Sequence, residues 1–523
     1  MAWTDVGALD RLAAKGKAVV RQGGRQILVL STPKGVFACA NRCPHEGYPL
    51  SEGLLTGGCV LTCNWHNWKF DLASGATLVG GDALRRFPAR VEAGRVLVDL
   101  SPEEPRVRSE RVLAGLRQAL EDEDQDRLVR EAARLMRTSQ GVEAVVAAMD
   151  WAAERLEFGT THALAAAPDW MALHDAPGAK DDEKLAALGE ILGHVAEDVR
   201  GGRRFPFVSG EAPWSEAAFL EAIEAEDEAG AIGALRGALR VGLSPGDLFP
   251  ALARAALAHY ADFGHSLIYA VKTVALIERL GPATAEPLLS LLARSLVYAR
   301  REDLLPEFRT YRARLEAWGS APGKPPPLEA QTLRGRSAKS AMAMVGAWSA
   351  RSEPSAIFEV LLEASAWTLL HVDEAQLVRT EGKIADNVNW LDFTHAITFA
   401  DAGLTAASAA PDLWPPLLLQ MACFVGRNAA WVAPEMDVRS FAVTDQAQFL
   451  KRAKARLLDH GQVGFLVPAH LIKTLTAARR LAAARPALAG VLDAAANRFV
   501  FAPMKRRHVL RTARQMRAFV AQE

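Results

Sequence analysis

Four residues, Cys43, His45, Cys63 and His66, constrain this chain more than any other feature. They read Cys-x-His, then seventeen intervening residues, then Cys-x-x-His. Each short segment supplies one thiolate and one imidazole, so two loops placed side by side offer four donors to a metal centre. Two thiolates and two imidazoles can hold zinc tetrahedrally. They can also hold a [2Fe–2S] cluster in which imidazoles replace two thiolates on one iron. In that case Cys43 and Cys63 bind one iron and His45 and His66 the other. Imidazole donates less negative charge than thiolate, which raises the reduction potential above that of an all-cysteine cluster. His66 does not belong to a haem-attachment motif, which needs a second Cys directly before the His.

The flanking residues favour the cluster over zinc. Gly47, Leu50 and Gly53 follow the first pair, and Lys69-Phe70-Asp71 and Gly75 follow the second. Over about the first hundred residues the segment resembles soluble Rieske ferredoxins and the Rieske domains of oxygenases. Asn67 departs from that pattern, standing where a glycine often follows the second histidine. The disulfide-bearing variety of this family carries extra cysteines; here Tyr48 stands at the first such position. Cys39 and Cys59 read as core residues of strands.

The style of the sequence changes near residue 100. Before it, short apolar runs are broken by glycine, as in QILVL (26–30), GVFACA (35–40) and RVLVDL (95–100), which reads as a small all-β unit over 1–100. SPEEPRVRSE, residues 101–110, carries two prolines and mixed charge and reads as a linker. Residues 111–523 are rich in Ala, Leu, Arg and Glu at helical spacing, punctuated by APGKPPP (321–327) and Pro415–Pro416, with no alternating strand pattern. The expected architecture is a small all-β domain followed by a large all-α metal-binding domain, with no fixed-period repeat.

Bulk properties exclude several classes. Lys+Arg and Asp+Glu both number 61, so no global charge favours nucleic acid or an anionic membrane. The apolar runs are too short for a membrane span, and the first residues carry no signal-peptide core. Five cysteines in 523 residues make no disulfide framework, so a reducing, cytoplasmic setting is expected.

An electron-transfer domain needs an acceptor. The usual partner of a Rieske domain carries Asn-x-x-Asp-x-x-His-x-x-x-x-His. Asn389, Asp392 and His395 begin that pattern, but Ala400 stands where the second histidine belongs. A different set fits better: Thr161-His162-Ala163-Leu164, Phe263-Gly264-His265-Ser266, Asp392-Phe393-Thr394-His395 and Ala469-His470-Leu471-Ile472-Lys473. These islands resemble the histidine-centred segments of the questin-oxidase-like family. The resemblance implies a helical fold, oxidative cleavage of polycyclic aromatic polyketides without flavin, and a non-haem iron held by histidines. The Rieske fusion departs from that family's usual single domain.

Independently of the family, histidines projecting from separate apolar helices are how helical bundles build iron sites. His162, His265, His395 and His470 are therefore the expected ligands of a mononuclear Fe(II). Four neutral imidazoles leave the metal's charge uncompensated in a low-dielectric interior, so an anionic ligand is expected. Lys473 shares a helix face with His470. A desolvated, neutral lysine can take up CO2 as a carbamate and supply that anion. Asp392 is the competing anion, Lys272 a weaker lysine, and His371 a fifth histidine near the site. His174 reads as a loop residue near the site's entrance, His259 as lying on another helix face, and His194, His460 and His508 as peripheral. The basic tail around Lys505–Arg507 reads as a solvated face or a dock for an acidic partner.

The expected function is an oxygenase: the Rieske cluster passes electrons to the histidine-ligated iron, which activates O2 against a hydrophobic organic substrate. The expected partners are a reductase or ferredoxin as electron donor and a second copy of the chain, with neither nucleic acid nor membrane. One alternative is an electron-transfer or redox-sensing module with a non-catalytic helical docking domain. Another is an ordinary Rieske oxygenase with a His/His/carboxylate site around Asp392 and His395. The sequence does not identify catalytic residues beyond the metal ligands.

Overall fold

The computed structural model describes residues 3–200, 202–260, 263–301, 304–320, 325–504 and 508–522. Lys505–Arg507 of the basic tail and residues 321–324 of the proline-rich punctuation lie outside them. The chain divides into two compact units, Met1–Leu135 and Met136–Glu523.

The first unit contains three small antiparallel sheets. One takes β1 (Trp3–Ala8), β11 (Arg95–Asp99) and β10 (Ala89–Glu92) in the order β1-β11-β10. The second takes β2 (Lys17–Gln22), β3 (Arg25–Thr32), β4 (Gly35–Ala40) and β9 (Arg86–Phe87) in that order. The third is a meander of β5 (Leu54–Thr56), β6 (Val60–Thr62), β7 (Lys69–Asp71) and β8 (Thr77–Val79). Strand β3 serves two interiors at once. Its four central residues, Ile27 to Leu30, are all buried because its two faces feed different cores. Ile27 and Val29 pack with Val96 and Val98, whereas Leu28 and Leu30 pack with Leu61, Phe70 and the two candidate ligand cysteines. Cys39 on β4 and Cys59 just before β6 are buried in that second core, as free thiols.

The linker expected over 101–110 is helix from Pro105 onward. Pro105 stands at the first helical position, where its missing N–H leaves nothing unsatisfied, and Glu104 caps the helix by accepting from the Val107 N–H at 3.0 Å. The helices Pro105–Glu121 and Gln125–Leu135 pack together and belong to the first unit. Its boundary therefore falls at residue 135 rather than at 100. Pro415 and Pro416, read as punctuation, likewise stand in the first turn of the helix Trp414–Asn428, whereas Pro325–Pro327 start no helix.

Among its described residues the regular structure of the second unit is all helix, apart from an isolated bridge between Val372 and Val432. At its centre four helices close a ring of contacts: His162–His174 on His265–Leu280, that on Trp390–Ala409, that on Leu466–Ala484, and the last back on the first. Each carries one candidate histidine within its first two turns. Among the described residues no helix is long and apolar enough to cross a membrane.

Candidate metal centres

In the first unit the two motif loops have the same construction. The Cys43 N–H donates to the Tyr48 carbonyl at 2.8 Å, and the Cys63 N–H donates to the Trp68 carbonyl at 2.8 Å. Each loop thus closes five residues after its cysteine. The residue four after each cysteine turns the chain in the left-handed region: Gly47 at φ +82° and Asn67 at φ +60°. Asparagine is the non-glycine residue most at ease there, so Asn67 does the work of the glycine it replaces.

The side chains converge. The His45 and His66 rings lie 4.6 Å apart, His45 stacks on Trp68 at 4.6 Å, and His66 stacks on Trp65 at 5.1 Å. The thiols of Cys43 and Cys63 are buried against each other, and burial pushes the Cys43 thiol up to about 11. The backbone N–H groups of His45 and Glu46 point at the Cys43 sulfur and pull the other way. Nδ1 of His45 is buried without a hydrogen-bond partner. An orphaned imidazole nitrogen, two facing thiols and N–H donors aimed at sulfur fit a [2Fe–2S] cluster at these four residues.

A sequence model of the Rieske [2Fe-2S] domain matches residues 2–88. The chain belongs to the Rieske family through this first unit. It is 34% identical over 101 residues to the ferredoxin component of the alkene monooxygenase system of Xanthobacter autotrophicus, spanning 19% of this chain and 83% of that protein. It is 32% identical over 115 residues to 4beta-methylsterol monooxygenase of Methylococcus capsulatus, spanning 20% of this chain but only 30% of that enzyme. Among solved structures, the ferredoxin of carbazole 1,9a-dioxygenase from Nocardioides aromaticivorans is similar at 24% identity and a TM-score of 0.18, covering 20% of this chain and 100% of that one. The two sequence relatives each match about a fifth of the chain, within the Rieske unit.

In that second unit the structure brings the four histidines together. Nε2 of His265 lies 3.1 Å from Nε2 of His162 and 3.0 Å from Nε2 of His395. His470 joins through its Nε2, 3.3 Å from that of His395, and its ring lies 4.9 Å from that of His162. The tautomers follow from local helix geometry. His395 Nδ1–H donates to the Leu391 carbonyl at 2.6 Å, and His470 Nδ1–H donates to the Leu466 carbonyl at 2.8 Å. Both are one turn back along their own helices. The proton is thereby held on Nδ1, and Nε2 of each presents a lone pair to the other. Facing lone pairs at this distance repel unless a cation lies between them. Nitrogens each about 2.1 Å from one metal would stand about 3.0–3.4 Å apart at octahedral to tetrahedral angles, which fits the observed spacings. Burial first, then the neighbouring Lys473 and other histidines, hold His162, His395 and His470 well below the ordinary histidine pKa, so they are neutral donors.

Lys473 is 1% exposed and its Nζ has no hydrogen-bond partner. Burial, then the charge of Lys272, push it down to about 7, while Asp169 and Asp198 pull upward. The other expected residues sit elsewhere. Lys272 is held by both oxygens of Asp169, at 2.6 and 2.7 Å, so its nitrogen is committed to an ion pair. Asp392 caps its own helix, accepting from the Asn389 N–H at 2.7 Å, and is absent from the group of donors formed by His162, His265 and His395. This removes the basis for a site centred on Asp392. His371 stacks on Trp367 at 4.2 Å and bonds the Trp367 carbonyl at 2.8 Å, which makes it a helix-terminal residue. His174 is buried at a helix end between Asp175 and the Gln140 carbonyl, not in a loop.

Sequence reasoning missed three neighbours. His194, expected at the periphery, is buried, stacked on Phe465 at 5.8 Å, and paired with Asp198 at 3.6 Å. Asp198 also accepts from the Ala163 N–H at 3.2 Å, at the start of the His162 helix. Tyr269 puts its ring 5.4 Å from that of His265. A spacing of four residues, His265 to Tyr269 and His194 to Asp198, was the available signal. Phe263, at φ +48°, stacks on His395 at 5.1 Å, so a strained non-glycine residue abuts the site.

Proposed function

We propose that this chain is an oxygenase whose Rieske unit receives single electrons and whose helical unit holds a mononuclear iron at His162, His265, His395 and His470. The convergence of four Nε2 atoms, two of them with Nδ1 tied back to a helix carbonyl, carries this reading. When bound, the iron would supply O2 binding and reduction against a hydrophobic organic substrate. The chain's own residues do the rest: the Leu391 and Leu466 carbonyls orient two imidazoles, and Phe263 covers one face of His395. Lys473 is read as the source of the anionic ligand. Its buried amine, neutral, attacks CO2; a C–N bond forms and a proton leaves, giving a carbamate whose negative charge offsets the metal's. The histidine islands support placing the unit with the questin-oxidase-like proteins, and a polycyclic aromatic as the substrate class. A reductase or ferredoxin is the electron donor.

Iron analysis of the purified chain tests the reading, with about three irons per chain expected and about two if the Rieske cluster is the sole centre. Lys473→Ala should lose the mononuclear iron and keep the reduced Rieske resonance. If Lys473→Ala keeps all its iron while Asp392→Ala loses it, the anion is the carboxylate. The second reading, an electron-transfer protein with a docking domain, is favoured by the near full-length match to a ferredoxin component; a count of two irons would select it.

A further inference from the structure

The family model ends at residue 88, yet the first unit continues through two helices to Leu135. We propose that this helical extension sets the reduction potential of the Rieske cluster through Arg130, a positioning residue that acts on the His45 backbone. The proposal rests on the Rieske unit and stands apart from the reading of the second centre.

The contact is direct. Arg130 Nη1–H donates to the carbonyl oxygen of His45 at 2.7 Å. Its Nε faces the carboxylate of Asp82 at 3.5 Å, and Arg134 Nη2 donates to the same carboxylate at 3.0 Å. Asp82 lies between β8 and β9, and its side chain is almost fully buried. Glu131 completes the group between Arg134 and Arg127, and burial pushes its carboxyl upward. Gly115 on the facing helix makes room for it, since a Cβ there would stand 2.7 Å from Glu131 Oε1. A second contact reaches the same ligand. Gly80, two residues before Asp82, lies against Trp68, the indole that stacks on His45. His45 is thus contacted by an arginine through its carbonyl and by an indole on its ring.

The charge closest to the ligand gives the sign. Arg127, Arg130 and Arg134 face three carboxylates, Asp82, Glu131 and Asp122, so the group is balanced as a whole, and Arg130 is the member that bonds the cluster ligand. Nε of Arg130 stands 3.5 Å from Asp82, beyond hydrogen-bond contact, while its Nη1 is committed to the His45 carbonyl. Reduction adds one negative charge to the cluster. A guanidinium nearby stabilises that state and raises the potential, and the Asp82 carboxylate opposes it.

The test is voltammetry of the full chain with its cluster, alongside the reduced-state resonance. Arg130→Gln should lower the equilibrium constant for reduction by about threefold to tenfold, where tenfold is about 59 mV for one electron. Arg130→Lys should restore most of that loss, and Asp82→Asn should shift the potential upward. Opposite signs for Arg130→Gln and Asp82→Asn are the decisive result, because loosened packing would move both the same way. Unchanged potentials, or shifts of one sign in both, overturn the proposal. If Arg130→Gln fails to hold a cluster, Asp82→Asn decides it: an upward shift supports the proposal, and an unchanged or lowered potential overturns it.

Discussion

At the scale of single residues, conformation and burial decide more than residue type. Asn67 and Gly47 hold corresponding places in the two cluster loops and share a left-handed backbone. Asn67→Gly should therefore leave stability within about 0.5 kcal/mol of the parent and keep the Rieske absorption. Asn67→Val forces a β-branched residue into that region and should cost about 1–2 kcal/mol in chemical denaturation. His194 gives a pH dependence with a defined sign. Burial lowers its pKa to about 4, from the ordinary 6.5, although Asp198 pulls upward. Between those values the unfolded chain binds a proton that the folded chain refuses. The stabilisation is complete above pH 6.5 and is lost as pH falls toward 4. Denaturation midpoints of the helical unit should drop over this window, and His194→Gln should flatten the dependence.

At the scale of elements, two uses of helix ends stand out. Two of the four central helices, His162–His174 and His265–Leu280, begin at the histidine group itself, and helix N-termini carry partial positive charge. That field, added to neutral imidazoles, further disfavours a bare cation and strengthens the argument for an anion from Lys473. In the Rieske unit, the helix Gln125–Leu135 binds the first cluster loop through Arg130 and the segment between β8 and β9 through Arg134. A fragment ending at residue 135 should bind its cluster and melt cooperatively. One ending at residue 100 loses the bonds to the His45 carbonyl and the Asp82 carboxylate, each a charged hydrogen bond of about 1.5–3 kcal/mol. Its visible circular dichroism should disappear at a lower temperature; equal midpoints would show that the extension contributes nothing to stability.

At the scale of the whole molecule, each unit has its own interior. The two cores of the Rieske unit are built entirely from residues 1–100, and all four convergent histidines lie beyond residue 135. Cys43→Ser should therefore abolish the reduced Rieske resonance while far-ultraviolet helicity and the second unit's iron persist. Loss of helicity in that variant would show that the helical unit needs the cluster to fold. Turnover with an external reductant should vanish in the same variant if electrons enter by the Rieske unit.

The cluster ligands were readable in the sequence because two short loops carry all four donors, and local spacing suffices to specify them. The helical character beyond residue 111 was equally plain, since the periodicity of apolar residues is a local property. The four histidines could be singled out by their apolar settings, but their meeting depends on helix packing across more than three hundred residues, which no local pattern encodes. The same limit explains Lys272 and Lys473. Both are lysines on apolar helices, yet one meets Asp169 and the other meets no partner atom. Asp392 looked like a ligand because it stands one turn before His395, and the structure uses it to cap the helix on which both lie. Tertiary structure alone decided which buried charge is paired, which is left unpaired, and where the Rieske unit ends, because each of these depends on what a distant segment brings alongside.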